Sequence, residues 1–136
     1  MPKTILLVWA GVFTIDIPFD DFIAEAKEIT EILEEFLLNY ESDSSVLNEE
    51  NMKKIKRELH TLKGSASIYG FMEISDLAHR FEDLLGSERN FTNIDVDYLL
   101  KIVDFINENA VSGKELSEDA VSRYQEMANY LTIRSS

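Results

Sequence analysis

The sequence predicts an all-α protein: an antiparallel four-helix bundle with an appended fifth helix and a short apolar amino-terminal extension suited to a β-hairpin. Three observations carry this. From Pro18 onward, apolar residues recur at intervals of three and four in five successive stretches, the spacing that gathers them on one helix face. Segments rich in Ser, Asn, Asp and Gly separate the stretches, short enough to make consecutive helices antiparallel neighbours. The chain has 136 residues, 45% of them hydrophobic, which suits one buried core and one compact domain.

The extension, residues 1–17, comes first. Its halves TILLVW and VFTIDI are rich in β-branched and aromatic residues around Ala10-Gly11, which predicts a short hairpin. A strand pair that small does not stand alone, so it must pack on the main body or join two copies of the chain as a homodimer. The apolar run is too short for a membrane span of ~20 residues and has no small-residue cleavage site, so it reads as structure rather than address.

The bundle domain, residues 18–136, follows. Phe22, Ala26, Ile29, Leu33, Phe36 and Tyr40 form one stripe on a first helix over residues 19–40, and ESDSSVLNEEN breaks it with turn and capping residues. The second stripe is Met52, Ile55, Leu59, Leu62, Ala66 and Tyr69, ending at Gly70, the natural residue for a left-handed terminus. Ile74, Leu77, Phe81 and Leu84 mark a third helix that stops near Gly86. A fourth runs through Val96, Leu99, Val103, Ile106 and Ala110 to Ser112-Gly113. Ser117 is a good N-cap for a fifth, with Ala120, Tyr124, Met127 and Leu131 on its stripe.

Composition removes several function classes. There is no cysteine, so disulfides, thiolate metal cages and cysteine nucleophiles are excluded, in keeping with a cytoplasmic setting. The net charge of −13 disfavours nucleic acid and anionic membranes as partners, because the mean field repels both. Against that background Lys53, Lys54, Lys56, Arg57 and Lys63 stand together on the second helix, a place where a phosphate or an acidic partner could dock.

The candidate chemistry lies on the same helix. His60 is off the core stripe, about 100° round from Leu59 and in line with Lys53, Lys56, Lys63 and Ser67. Gly64 sits one turn further on, where a helix-interior glycine costs about 1 kcal/mol against alanine. The period continues on both sides of it, so the missing side chain either has a use, close approach by a partner or room for a group on His60, or is an accident; the competing reading is that it merely admits a neighbouring helix. Folding the second and third helices back at Gly70 brings His79 and Glu82 to the level of His60, ~15 Å from the turn. The hairpin thus gathers His60, Lys63, His79 and Glu82 on one exposed face. A carboxylate accepting the Nδ1 proton fixes the tautomer and leaves Nε2 with its lone pair. Lys63 can neutralise an incoming phosphoryl group as a point charge.

The stretch LHTLKGSASIYGF resembles the His-x-x-Lys-Gly signature of histidine-containing phosphotransfer domains, and LAHRFEDLL resembles the second histidine and glutamate of the amino-terminal phosphotransfer domain of chemotaxis histidine kinases. The resemblance implies that His60 accepts a phosphoryl group, that Lys63 supports it, that Glu82 bonds the ring and that His79 lies beside them. Lys56, Gly64 and Ser67 are the residues expected to meet the partner. The implied partners are the catalytic domain of a histidine kinase and the receiver domain of a response regulator. The domain itself is expected to bind no cofactor or metal, with ATP and magnesium on the kinase and magnesium on the receiver. It would be a carrier rather than a catalyst, free-standing or part of a sensor kinase. The first 17 residues have no counterpart in that family.

Two other readings compete. His60, His79 and Glu82 could hold a zinc ion, although Lys63 would repel it and the Glu-x-x-His pairs of di-metal bundles are absent. The bundle could also be a protein-interaction module without chemistry.

Overall fold

The computed structural model describes residues 2–8, 12–87, 92–112 and 115–135, with side chains described from Asp20 onward. Two strands precede five α-helices, as expected. β1 (Pro2–Val8) and β2 (Val12–Pro18) pair antiparallel, with register running from Pro2 opposite Pro18 to Val8 opposite Val12. The Ala10-Gly11 turn lies outside the described residues. β1 touches α1 (Phe19–Ser42), which begins directly after β2.

A helix needs partners for its terminal backbone groups, and these are built locally. Asp20 and Asp21 place negative charge in the first turn of α1, where the helix dipole favours it. The segment after α1 holds a single 3₁₀ turn, Ser44–Val46, capped by Asp43. Asn48 then caps α2 (Glu49–Ile68), its side chain accepting from the Asn51 N–H at 2.9 Å. Ser117 caps α5 (Glu118–Ser135) by accepting from the Ala120 N–H. α4 (Asn93–Ser112) opens on a reciprocal box between Thr92 and Asp95. The Thr92 N–H donates to the Asp95 carboxylate, and the Asp95 N–H donates to the Thr92 hydroxyl.

The turn between α2 and α3 (Met72–Gly86) decides the geometry of the candidate site. Gly70 has a φ of 81°, a left-handed conformation that glycine adopts without steric cost. Its N–H donates to the Ser67 carbonyl, and the Phe71 N–H donates to the Ala66 carbonyl at 2.8 Å, which completes a Schellman closure. Tyr69 and Phe71, on either side, both stack on Phe22 of α1, with ring centroids 5.1 and 4.9 Å away. The hairpin is therefore closed by backbone chemistry and pinned to the core by aromatic packing.

α2 packs along α3, α1 along both α2 and α4, and α5 along α3. The predicted stripes meet in one core containing Phe22, Leu33, Leu59, Leu62, Leu77, Phe81, Leu99 and Ile106. Tyr40, Met52, Tyr69 and Tyr124 are half-buried at its edge rather than inside it. The appended α5 is tightly tied. It buries Ala120, Met127, Ala128 and Leu131, and it makes two polar seams with its neighbours. Tyr124 donates to Asp76 at 2.6 Å, and Arg80 bonds both Asp76 and Thr132. Arg134 grips buried Asp95 of α4 with two bonds of 2.7 Å, and Tyr130 donates to the same carboxylate while stacking on Tyr98. Among the described residues, no helix is long and apolar enough to cross a membrane.

Candidate functional site

His60 lies in the middle of α2 with 71% of its side chain exposed, because the core stripe of Ile55, Leu59, Leu62 and Ala66 takes the opposite face. Its Nδ1 is 3.8 Å from Glu82 Oε2 of α3. Glu82 is different in kind: only a quarter of its side chain is exposed, and Oε2 is buried without a hydrogen-bond partner. A buried carboxylate oxygen left unsatisfied is unfavourable by about 1–3 kcal/mol, so natural structures leave few of them. Here the unsatisfied oxygen faces an imidazole nitrogen able to bring a proton to it.

The hairpin arithmetic explains why these two residues meet. Side chains on a helix lean toward its amino terminus. On antiparallel α2 and α3, His60 therefore leans away from the Gly70 turn while Glu82 leans back toward it, and the two reach across a longitudinal offset. Small side chains let the helices approach closely: Ala66 and Ala78 are fully buried, and Ser75 nearly so. The Ser75 hydroxyl donates to the Lys63 carbonyl at 2.9 Å, a polar link between the two helices one turn from His60.

The other expected residues are placed as follows. Lys63 is half-buried one turn after His60, at the spacing where helical side chains neighbour each other. His79 is exposed and pairs with Asp83 of its own helix, Nε2 to Oδ2 at 3.5 Å, rather than with His60 or Glu82. The expected four-residue cluster did not include Asp83. The α2–α3 hairpin sets the level of His79, but Glu82 and Asp83 lie about 100° apart round the helix, and His79 takes the acid one turn along. The zinc reading needs His79 on the same ion as His60. Among the described residues, no three His, Asp or Glu side chains converge in a metal-holding group.

Gly64 and Ser67 are exposed on the His60 face. A methyl group added at Gly64 would meet nothing within 4 Å, so the glycine is not there to admit a neighbouring helix. Lys56 is half-buried, and its ammonium lies 3.8 Å from where a side chain at Gly86 would begin. A cation is favoured there, at the carboxyl end of α3. Lys56, Glu82, Asp83, Gly86, Ser87 and Ser135 line an open depression beside the histidine. Of the remaining basic residues, Lys53 pairs with Glu49 at 3.5 Å with both ends exposed, an arrangement of little energetic weight.

Two residues near the site were missed by sequence reasoning. Asp83 was findable, since its i,i+4 spacing from His79 is a standard helix pair. Ser75 was not, because a serine between Ile74 and Asp76 carries no signal for a bond across helices.

A sequence profile of the Hpt domain family matches residues 19–109, two thirds of the chain. The chain belongs to the Hpt domain family. Its five helices form the scaffold on which the His-x-x-Lys-Gly stretch is displayed. The chain is similar to the chemotaxis protein CheA of Borreliella burgdorferi, at 34% identity over 119 residues, covering 82% of this chain and 14% of that protein. CheA of Treponema pallidum gives 34% identity over 118 residues with the same coverage. CheA of Halobacterium salinarum is 47% identical over 68 residues, half of this chain and 10% of that protein. The chain thus spans about a seventh or less of the length of these curated relatives.

Proposed function

We propose that this Hpt domain is a phosphoryl carrier of a chemotaxis-type relay, with His60 as the phosphoacceptor. The observation that carries the reading is the buried, unpaired Glu82 oxygen 3.8 Å from Nδ1 of an exposed histidine. With its proton on Nδ1, held toward Glu82, His60 keeps the Nε2 lone pair for attack. Nε2 bonds to the γ-phosphorus of ATP held by a histidine kinase catalytic domain, the bond from phosphorus to the bridging oxygen breaks, and ADP leaves. In the second step a receiver aspartate oxygen bonds to phosphorus, the N–P bond breaks, and the imidazole regains its lone pair. Glu82 compensates the positive charge that the ring carries while phosphorylated, and Lys63 offsets the charge of the phosphoryl oxygens. ATP and magnesium belong to the kinase and magnesium to the receiver.

The partners approach over the face of Gly64 and Ser67. Exposed Ile68 and, across the Gly70 turn, exposed Met72 extend that face with apolar surface. Lys56 sits at its other end, beside the depression. The names of the relatives point to chemotaxis as the pathway, and the cytoplasm is the place of action in this proposal. The test is a two-stage transfer. The protein is labelled by a histidine kinase with radioactive ATP, freed of kinase and nucleotide, and mixed with a receiver domain and magnesium. Label should move to the receiver within the mixing experiment. Label that stays on this chain with every receiver tried would contradict the second step.

Residues 1–17 form a separate appendage in this proposal. Two seven-residue strands are marginal alone, and the hairpin gains its stability by packing against a second copy. Deleting residues 1–17 should turn a dimer into a monomer by light scattering while far-ultraviolet circular dichroism stays helical. A 136-residue chain that is already monomeric would exclude this arrangement.

A further inference from the structure

We infer that Ser75 is a positioning residue for phosphoryl transfer: its hydroxyl fixes the register of α3 on α2 and so holds Glu82 against His60. The inference rests on the reading of His60 as phosphoacceptor, and four observations support it. Ser75 and Glu82 are seven residues apart on α3, two turns, and so lie on the same face toward α2. Ser75 is only 8% exposed, and its hydroxyl forgoes the local bond that a helical serine commonly makes to the carbonyl four residues back. It crosses instead to the Lys63 carbonyl at 2.9 Å. That carbonyl belongs to the residue whose side chain is to meet the phosphoryl group, so one bond anchors the base of Lys63 and the height of α3 together.

Apart from the His60–Glu82 approach, α2 and α3 contribute buried apolar residues to the core, among them Leu59, Leu62, Ala66, Leu77 and Ala78. Apolar contacts are non-directional and tolerate a small slide along the helix axis. A hydrogen bond does not tolerate it, because its energy falls steeply with misalignment. At the site the tolerance is small: Nδ1 and Oε2 are already 3.8 Å apart, beyond direct hydrogen-bond length. A further slide would leave the carboxylate out of reach of the ring.

The test uses the full 136-residue chain as wild type, Ser75→Ala, Ser75→Thr, Glu82→Ala and the double variant Ser75→Ala with Glu82→Ala. Two readouts are independent of each other. Ring ¹⁵N shifts of neutral His60 report which nitrogen holds the proton, and initial labelling rates with a histidine kinase and MgATP report function. Wild type should favour the Nδ1–H tautomer, and Glu82→Ala should lose that preference. Ser75→Ala should lose part of it and label more slowly, by about threefold or more, as a misplaced catalytic geometry does. Ser75→Thr, which keeps the hydroxyl, should restore both. In the Glu82→Ala background, Ser75→Ala should change neither. If Ser75→Ala lowers only the melting temperature, leaving tautomer and rate at wild-type values, Ser75 is ordinary packing and the inference fails. An equal effect of Ser75→Ala with and without Glu82 overturns it too. Absence of labelling in the wild type would refute the phosphoacceptor reading instead, and the tautomer measurement would still decide the role of Ser75.

Discussion

The two faces of α3 treat carboxylates in opposite ways. Toward α5, Asp76 accepts from Arg80 and Tyr124; nearby, where α5 meets α4, Asp95 accepts from Arg134, Tyr130 and the Thr92 N–H. Toward α2, Glu82 keeps a buried oxygen with no hydrogen-bond partner beside an exposed histidine. Saturated carboxylates lock helices together, and a folding scaffold gains from every bond they accept. A carboxylate held short of saturation is a standing cost that only a later proton or charge relieves. On the proposed reading the α5 side serves stability and the α2 side serves chemistry, and substitutions should separate the two.

The largest effect on stability is expected at the α5 seam. Burial pushes the Asp95 carboxyl up, but hydrogen bonds from Arg134, Tyr130 and Thr92, with the attraction of Arg134, outweigh it and hold the group well below the usual carboxylate range. Arg134→Leu leaves that charge buried with its main partner gone, and should lower the melting temperature more than any change on the His60 face. Labelling at temperatures where the variant is folded should be unchanged. Tyr130→Phe removes one donor and should cost about 1–2 kcal/mol in denaturant unfolding. A seam variant that labels slowly while fully folded would break the separation.

The same seam sets the limits of pH stability. Asp95 is depressed in the folded state, so its contribution is complete above about pH 4 and is lost as pH falls below that. Tyr124 and Tyr130 are both pushed up to about 12, by burial and then by their bonds to Asp76 and Asp95. Their contribution is present below the ordinary phenol value of about 10 and is lost as pH rises toward about 12. Melting temperature against pH should therefore fall at both ends, and Tyr130→Phe should remove part of the alkaline decline. An alkaline limb unchanged in that variant would show that the phenol contributes nothing to it.

On the His60 face, stability and function should move in opposite directions. Gly64→Ala meets no neighbouring atom, so it should stabilise the fold by about 1 kcal/mol. It should also slow transfer by obstructing the approaching partner. A stabilised variant with wild-type transfer would remove Gly64 from the docking face. The smallest effect is expected for His79→Ala, which loses an exposed pair with Asp83. Stability should change by less than about 0.5 kcal/mol, and labelling should hardly change. A large drop in labelling would return His79 to the cluster that the sequence suggested.

Which features were legible in the sequence follows from the range of the interactions. The helices were readable because each stripe is a local pattern, and the Gly70 turn because only a glycine sits easily at a φ of 81°. The meeting of His60 with Glu82 followed from counting residues either side of that turn. The pairing of His79 with Asp83 escaped because counting gives levels, not which of two adjacent acids a side chain takes. The Arg134–Asp95 and Tyr124–Asp76 bonds join residues 39 and 48 positions apart, and no periodicity points from one to the other. The Thr92–Asp95 box is local and could have been read from its spacing.

The central claim is that His60 carries the phosphoryl group, and the direct measurement is where the label lands. Wild type and His60→Gln are incubated with a histidine kinase and radioactive MgATP, then split between acid and base and mapped by peptide mass spectrometry. The account predicts one label on the peptide containing His60, stable in base and lost in acid as a phosphoramidate is, and none on His60→Gln. Label of equal amount on His60→Gln, or an acid-stable label on another residue, would contradict it.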